Sequence, residues 1–245
     1  MTDPAPATAP LPLVSRIIGV ITSPKATFEY IVAAPRPMGV LLVVALVIGI
    51  GSVIPQFTEK GRQATLDLQV KAMERFGATV TPEMQAKLEE RSHSVPLRLT
   101  GVVGGFIWIA MLAMIFTALY WAAFNTVLGG TASFKQVLAI VAHSQVISAI
   151  SVLAALPITL TTGKMSPTGP FNLGALAPML EQGSTFATFL SSVSVFTLWG
   201  FIVDAIGLGV LYRRNSRNIA LVLIAIFLLI MLGMAVAFGR FSQPS

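Results

Sequence analysis

Cysteine is absent from this sequence of 245 residues, and charged residues are scarce. Without cysteine the chain has no disulfides, no thiolate metal ligands and no cysteine nucleophile. Aspartate, glutamate, lysine and arginine make up only 11% of the residues, whereas a soluble domain has about 25%. So few charges cannot cover a chain that is 55% hydrophobic. We therefore expect the main body of the protein to lie in a lipid bilayer.

Catalytic signatures are also missing. The two histidines, His93 and His143, fall in different regions, and no HExxH, GxSxG, P-loop or dinucleotide fingerprint occurs. We therefore expect a protein that is not an enzyme and that has no cofactor and no metal. The formal net charge is +6, but no basic stripe with interleaved aromatic residues accompanies it. This basic excess indicates cytoplasmic loops and lipid headgroup contacts rather than nucleic acid.

Five apolar runs are long enough to cross a bilayer, for which about 20 residues are needed. They lie at residues 38–56, 101–127, 136–161, 187–212 and 218–239. The fold class predicted from them is all-α: a polytopic membrane protein with a bundle of five transmembrane helices. Residues 1–12 are rich in proline and alanine and are expected to be disordered, so that residues 13–240 form a single membrane domain.

Lysine and arginine in the short loops predict the orientation of the bundle. Seven basic residues precede span one or lie in the loops after spans two and four, whereas only Lys164 and Arg240 mark the opposite side. Three of the seven form the basic turn after span four, Arg213, Arg214 and Arg217. The pattern predicts a multi-pass membrane protein with its N-terminus in the cytoplasm and its C-terminus outside.

Two segments outside the spans are predicted to be helical. Residues 57–98 hold half of the 26 charged residues, and Thr81-Pro82 is typical of an N-cap followed by proline in the first helical turn. This insert is interpreted as a helical hairpin over the mouth of the bundle, with a partner-docking module as the alternative. Residues 13–33 predict two short amphipathic helices with basic residues, which are expected to lie in the headgroup plane.

Two ionisable residues lie deep inside spans, where charge is costly and function is the default hypothesis. His143 lies eight residues after Lys135, and Asp204 lies nine residues before Arg213. At 1.5 Å per residue both are roughly 12 Å below the cytoplasmic surface. We expect Asp204 to face the bundle interior with His143 or Gln145 as its partner, and Asn125 is a further candidate for this polar cluster.

Four interpretations of that polar cluster remain open. It locks helices together through hydrogen bonds, it lines a proton or ion path, it catalyses a reaction, or its residues never meet, and the first is favoured. Helix packing is also the interpretation of two small-residue pairs, Gly101 with Gly105 and Ala205 with Gly209, because small residues let helices approach closely.

Three stretches resemble the bacterial members of the Yip-domain family (Yip-one, the Ypt-interacting protein family). They are residues 16–37, RIIGVITSPKATFEYIVAAPRP, residues 129–147, GGTASFKQVLAIVAHSQVI, and residues 198–223, LWGFIVDAIGLGVLYRRNSRNIALVL. The resemblance implies five spans and a cytoplasmic N-terminus, with no catalytic residues to carry over. The resemblance to the bacterial members also implies that the membrane is the cytoplasmic membrane of a bacterium. Eukaryotic relatives, which have a large acidic-aromatic N-terminal arm, bind Rab-type small GTPases and act in vesicle transport and membrane shaping. The resemblance does not imply GTPase binding for this sequence, in which no such arm is seen.

Two functional hypotheses follow. The favoured one is a non-enzymatic protein that organises the membrane or binds partners, with the lipid bilayer, a second copy of itself and an unknown protein as its partners. The alternative is a small transporter or channel that uses Asp204 and His143.

Overall fold

The computed structural model describes residues 11–75, 77–93, 95–163, 165–166, 168–177, 179–181 and 184–239. Residues 1–10 of the predicted disordered segment, and the orientation markers Lys164 and Arg240, lie outside these ranges. The described α-helices are α1 (Leu13–Thr22), α2 (Pro24–Ala33), α3 (Pro37–Val53), α4 (Glu59–Arg75), α5 (Pro82–Ser92), α6 (Val95–Trp121), α7 (Phe134–Ser144), α8 (Val146–Thr162), α9 (Thr185–Ser192), α10 (Val195–Tyr212) and α11 (Ser216–Gly239). No β-strand occurs in these ranges, so the predicted all-α fold is confirmed.

Within the described ranges, five helical segments are long and apolar enough to span a membrane, as predicted. They are Pro37–Phe57, Thr100–Val127, Phe134–Thr162, Val195–Tyr212 and Ser216–Ala237. A single 3-10 turn, Ile54–Phe57, ends span one, and a π-helical turn, Ala122–Val127, ends span two. Span three consists of α7 and α8, which meet at Gln145. Helix α8 continues through Pro157 and stops at Gly163, whose φ of 65° is left-handed.

The predicted start of span four at residue 187 is wrong. Residues 185–192 form the separate helix α9, and the chain is extended at Val193 and Ser194 before α10 begins. Two backbone hydrogen bonds stabilise this extended segment between the helices. Leu173 N–H donates to the Val193 carbonyl (2.9 Å), and Val195 N–H donates to the Phe171 carbonyl (3.0 Å). Residues 187–194 are apolar enough to form part of a transmembrane helix. The helix is nevertheless interrupted at residues 193 and 194, where the backbone pairs with the loop at Phe171 and Leu173.

The N-terminal helices pack against the bundle rather than only lying beside it. Phe28 and Ile31 of α2 and Val20 of α1 are fully buried in the main core, which α6, α7 and α10 complete. Gly207 makes this packing close, because a Cβ atom there would come within 3.2 Å of side-chain atoms of Phe28 and Ile140. Helices α1 and α2 are therefore built into the end of the bundle that carries the turn between α10 and α11.

The two ends of the bundle differ in charge. One end, here called the basic side, carries the exposed residues Lys25, Arg36, Lys135, Arg213, Arg214 and Arg217. The other end, here called the arm side, carries α4, α5 and the loop between α8 and α9. Thr81 caps α5 as predicted, since its hydroxyl accepts a hydrogen bond from Met84 N–H (3.3 Å).

Candidate functional site: a buried aspartate between spans two, three and four

Asp204 faces the interior of the bundle, as its position in the sequence predicted. Its residue is 9% exposed, and the Tyr120 hydroxyl of α6 donates a hydrogen bond to Oδ2 (3.1 Å). The other carboxylate oxygen, Oδ1, is buried and has no hydrogen-bond partner among the described residues. The one ion pair found in the described part of the chain is Arg62 with Glu59 in α4, so no basic side chain neutralises Asp204 there.

A cavity of about 120 Å³ opens beside Asp204, between α6, the junction of α7 and α8, and α10. Its polar lining comes from Ser144, Gln145, Ser148 and Thr197 in addition to Asp204. Ser148 donates to Gln145 Oε1 (2.9 Å). Ser144, a residue that is 4% exposed, interacts through its hydroxyl with the carboxyl group of Asp204, but neither Ser144 Oγ nor Asp204 Oδ1 makes a well-formed hydrogen bond within the described residues. Two buried oxygens that are incompletely hydrogen-bonded therefore border the same small space.

A second cavity of about 470 Å³ lies next to the first on the arm side. The two share Ser148, Phe196 and Thr197 as lining residues. The larger cavity carries further hydroxyl groups from α3, α8, the loop after α8 and the extended segment before α10, namely Ser52, Ser151, Thr159, Ser166, Thr168 and Ser194. A row of hydroxyl groups thus leads from the loop after α8 to Asp204.

His143 is not the partner of Asp204, and this part of the predicted cluster is wrong. His143 is fully buried, its Nδ1 lies 2.6 Å from the Ala139 carbonyl, and its Nε2 lies 3.3 Å from Nη1 of Arg16. Because a guanidinium can only donate, Nε2 accepts and Nδ1 carries the proton of a neutral ring. Consecutive helical residues point about 100° apart, so Ser144, and not His143, faces α10.

Arg16 therefore has an unexpected role for a residue of an amphipathic surface helix. Its guanidinium also donates to the Arg36 carbonyl (3.2 Å), which joins α1 to the start of α3. Burial, and then the positive charge of Arg36, lower the pKa of Arg16 from its usual value. The contact pins α1 to span three.

Asn125 also lies apart from Asp204. It sits in the π-helical turn at the basic side, where Tyr212 donates to its Oδ1 (2.9 Å) and its Nδ2 donates to the Ala132 carbonyl (2.7 Å). Trp121 donates to the same carbonyl (3.0 Å). Asn125 therefore closes the basic end of spans two to four, whereas Tyr120, five residues earlier, is the residue of α6 that reaches Asp204. Gln145 alone of the three proposed companions lines the Asp204 cavity.

The small residues named from the sequence lie in different settings. Gly105 approaches Gly49 of α3, since a Cβ on Gly105 would lie 3.7 Å from the Gly49 Cα, and Gly101 faces Val53 of the same helix. Ala205 is buried in the main core. Gly209 instead faces the turn between α10 and α11, where its carbonyl accepts from Arg214 N–H (3.0 Å).

The basic turn itself is exposed and tightly folded. Arg213 has a φ of 52°, a left-handed conformation at the end of α10 that is uncommon for residues other than glycine. Arg214 donates from Nη2 to the Leu128 carbonyl (3.1 Å), and Arg217 N–H donates to Asn215 Oδ1 (2.9 Å). The bond from Arg214 joins the turn to the end of span two, and the bond from Arg217 lies within the turn itself.

Comparison with known proteins decides the family. The Yip1 domain model matches residues 18–238, from α1 to the last turns of α11. The chain belongs to the Yip1 domain family. This Yip1 domain is also similar to the membrane protein YknW of Bacillus subtilis (strain 168), with 27% identity over 92% of this chain and 89% of the relative. No solved structure matches it. The matched range contains every residue of the Asp204 cavity.

Proposed function

We propose that this Yip1 domain protein organises the membrane and binds partner proteins without catalysing a reaction. The observation that carries the proposal is the way α1 is held. Leu13 and Ile17 pack against α3 and the junction of α7 and α8, and Arg16 binds His143, while a second apolar stripe made of Val14, Ile18 and Ile21 remains exposed.

An exposed apolar stripe on a helix at the edge of a bundle inserts into the interfacial region of a bilayer. A mobile amphipathic helix can leave the membrane at little cost, but α1 is fixed through its buried side. It therefore displaces lipid in one leaflet wherever the bundle resides. Helix α1 thus acts as a wedge, a fixed helix inserted into the leaflet on the basic side. This supports a role in shaping or organising the membrane.

The arm side offers the surface for a protein partner. Helix α5 has no buried residue, and α4 is attached near its start, where Lys60 donates to the Thr161 carbonyl (3.5 Å) and Thr65 contacts Met165. Helices α4 and α5 together carry 12 of the 26 charged residues of the chain, which suits them to a polar partner surface. The same proposal includes self-association in the membrane.

The charge difference between the two ends supports the proposed orientation. Basic residues favour the cytoplasmic side of a membrane, and the basic side carries the α10–α11 turn, Lys135 and Arg36. We place this side in the cytoplasm of a bacterial cell and the arm outside the cytoplasmic membrane. Reagents that modify lysine from one side of oriented vesicles test this assignment at Lys135 and Lys71.

The diameter of reconstituted vesicles tests whether α1 acts as a wedge in one leaflet. The full chain and the variant V14S/I18S are reconstituted at equal protein-to-lipid ratios, and vesicle diameters are measured by cryo-electron microscopy. The matched control is L221S/V222S, which changes two similarly exposed residues of α11. We expect the wild type and the control to shift vesicles towards smaller diameters and the α1 variant to lose this shift. Equal diameters for the α1 variant and the wild type would contradict the proposal.

A second candidate function is transport of a small ion. The observation in its favour is the pair of adjoining polar cavities that leads from the arm side to Asp204. Ion or proton flux into liposomes that depends on the protein and is lost in Asp204→Asn supports transport. Flux that is the same in Asp204→Asn and in the wild type would rule out transport through Asp204.

A further inference from the structure

Asp204 poses a problem of charge balance inside the membrane. A lone carboxylate in a buried site within a span is costly and requires a positive partner or a proton. The helices around it supply no cation among the described residues. Helix α6 supplies the Tyr120 hydroxyl, α7 and α8 supply Ser144, Gln145 and Ser148, and the charged residues of α2 and α11, Lys25, Glu29 and Arg217, are exposed. His143 turns away to Arg16.

The incompletely bonded oxygens show where a positive charge fits. Oδ2 already accepts from Tyr120, so Oδ1 is the oxygen that remains. Ser144 Oγ is also buried and lines the same cavity, where it interacts with the Asp204 carboxyl group without a well-formed hydrogen bond. A volume of about 120 Å³ holds a small ion with a few waters, because each water occupies about 30 Å³.

We propose that Asp204 Oδ1 holds one exchangeable monovalent positive charge, a proton or a sodium ion, with Ser144 as the neighbouring ligand. Carboxylate and hydroxyl oxygens are hard donors that suit alkali and proton chemistry rather than soft metals. The described residues contain no group of three His, Cys, Asp or Glu side chains that could hold a metal ion. A single carboxylate balances one positive charge, which favours a monovalent occupant over a divalent one.

The proton or sodium ion reaches Asp204 from the arm side. Ser148 and Thr197 border both cavities and join the Asp204 site to the hydroxyl-lined space beneath the loop after α8. Towards the basic side the way is closed by Leu208 and Val203, which are fully buried, and by the stacked rings of Phe124 and Tyr212 (centroids 4.6 Å apart). This inference concerns binding and does not depend on the membrane-organising role proposed above.

Carbodiimide labelling tests the proposal, because an apolar carbodiimide reacts with a protonated carboxyl group in a membrane site. The full chain in lipid nanodiscs is labelled at several pH values, and the modified residue is located by mass spectrometry. We expect labelling at Asp204 that rises as the pH falls and is lost in Asp204→Asn. A sodium salt that suppresses labelling, where choline at the same ionic strength does not, identifies sodium as the occupant, and indifference to sodium identifies the proton.

Two results would overturn the inference. One is the absence of label at Asp204 at every pH in sodium-free buffer, together with no protonated-carboxyl band in the infrared spectrum that disappears in Asp204→Asn. The other is suppression by calcium or magnesium at concentrations where sodium has no effect. The wild-type competition needs no variant, so it remains informative if Asp204→Asn does not fold. The variant Ser144→Ala tests the second ligand. It should weaken the protection of Asp204 from carbodiimide by sodium and leave the pH-dependent labelling of Asp204 in place.

Discussion

His143 and Asp204 lie at similar depth on neighbouring spans, yet their surroundings differ. His143 has both ring nitrogens engaged, one by the Ala139 carbonyl and one by Arg16. Asp204 has one oxygen engaged by Tyr120 and one facing a cavity. A fully bonded buried group serves structure, because any exchange would leave a partner unpaired. A buried carboxyl group with only one oxygen in a well-formed hydrogen bond can still bind a ligand through the other. The difference separates an anchor for α1 from a candidate binding site.

The anchor should show the largest effect on stability. His143→Ala removes a fully buried ring and one of the two acceptors of the Arg16 guanidinium, so we expect a loss of roughly 3–5 kcal/mol in the free energy of unfolding. Thermal unfolding in detergent, followed by tryptophan fluorescence, measures this loss. The exposed His93, changed to alanine, is the matched control and should have little effect. A His143→Ala protein as stable as the control would show that the contact with Arg16 does not hold α1.

An intermediate effect is expected at Tyr120. Tyr120→Phe leaves Asp204 Oδ2 without its donor, which should cost about 1–3 kcal/mol. Tyr30→Phe is the control, since Tyr30 is exposed on α2. If the bond to Tyr120 stabilises the ionised carboxylate, the same variant should also increase carbodiimide labelling of Asp204 at a given pH. Unchanged stability together with unchanged labelling would mean that Tyr120 does not bond to Asp204.

The smallest effect is expected in the coupling between the two sites. Asp204→Asn keeps an acceptor for Tyr120 and removes the charge, and His143 makes no bond to Asp204. The stability changes of Asp204→Asn and His143→Ala should therefore add within about 0.5 kcal/mol in a double-mutant cycle, as for independent sites. Arg16 and His143 provide the positive control, because residues in contact should be coupled. Strong coupling of His143 to Asp204 would restore the single cluster predicted from the sequence.

Much of the fold was predictable because hydropathy and capping are local signals. The spans starting at Pro37, Thr100 and Ser216 lie within two residues of their predicted starts, and the Thr81 cap follows from its side chain and the proline after it. The start of span four was not predictable in this way. Ser194 sits in a hydrophobic stretch, and its extended backbone follows from pairing with Asn172, twenty-two residues earlier.

The candidate site was predictable only in part. The depth of Asp204 and its inward orientation followed from the cost of a charge in lipid. Its partners did not follow, because equal depth on two helices leaves their rotation about the helix axes undefined. Tyr120 had a weak signal, as a hydroxyl-bearing ring inside a span whose neighbours are otherwise apolar. Gly207 could not be distinguished from Gly209 by spacing, since the contact with Phe28 depends on where α2 packs.

The sequence by itself determined that this chain is a five-span helical membrane protein with one basic end and one deeply placed carboxylate, because transfer into lipid depends on composition over a window of residues. Only the tertiary structure decided that His143 anchors α1, that Tyr120 binds Asp204 and that a polar cavity reaches the remaining oxygen. These features depend on which faces of separate helices meet. Packing among α2, α6, α7 and α10 selects those faces, and no local stretch of sequence contains that choice.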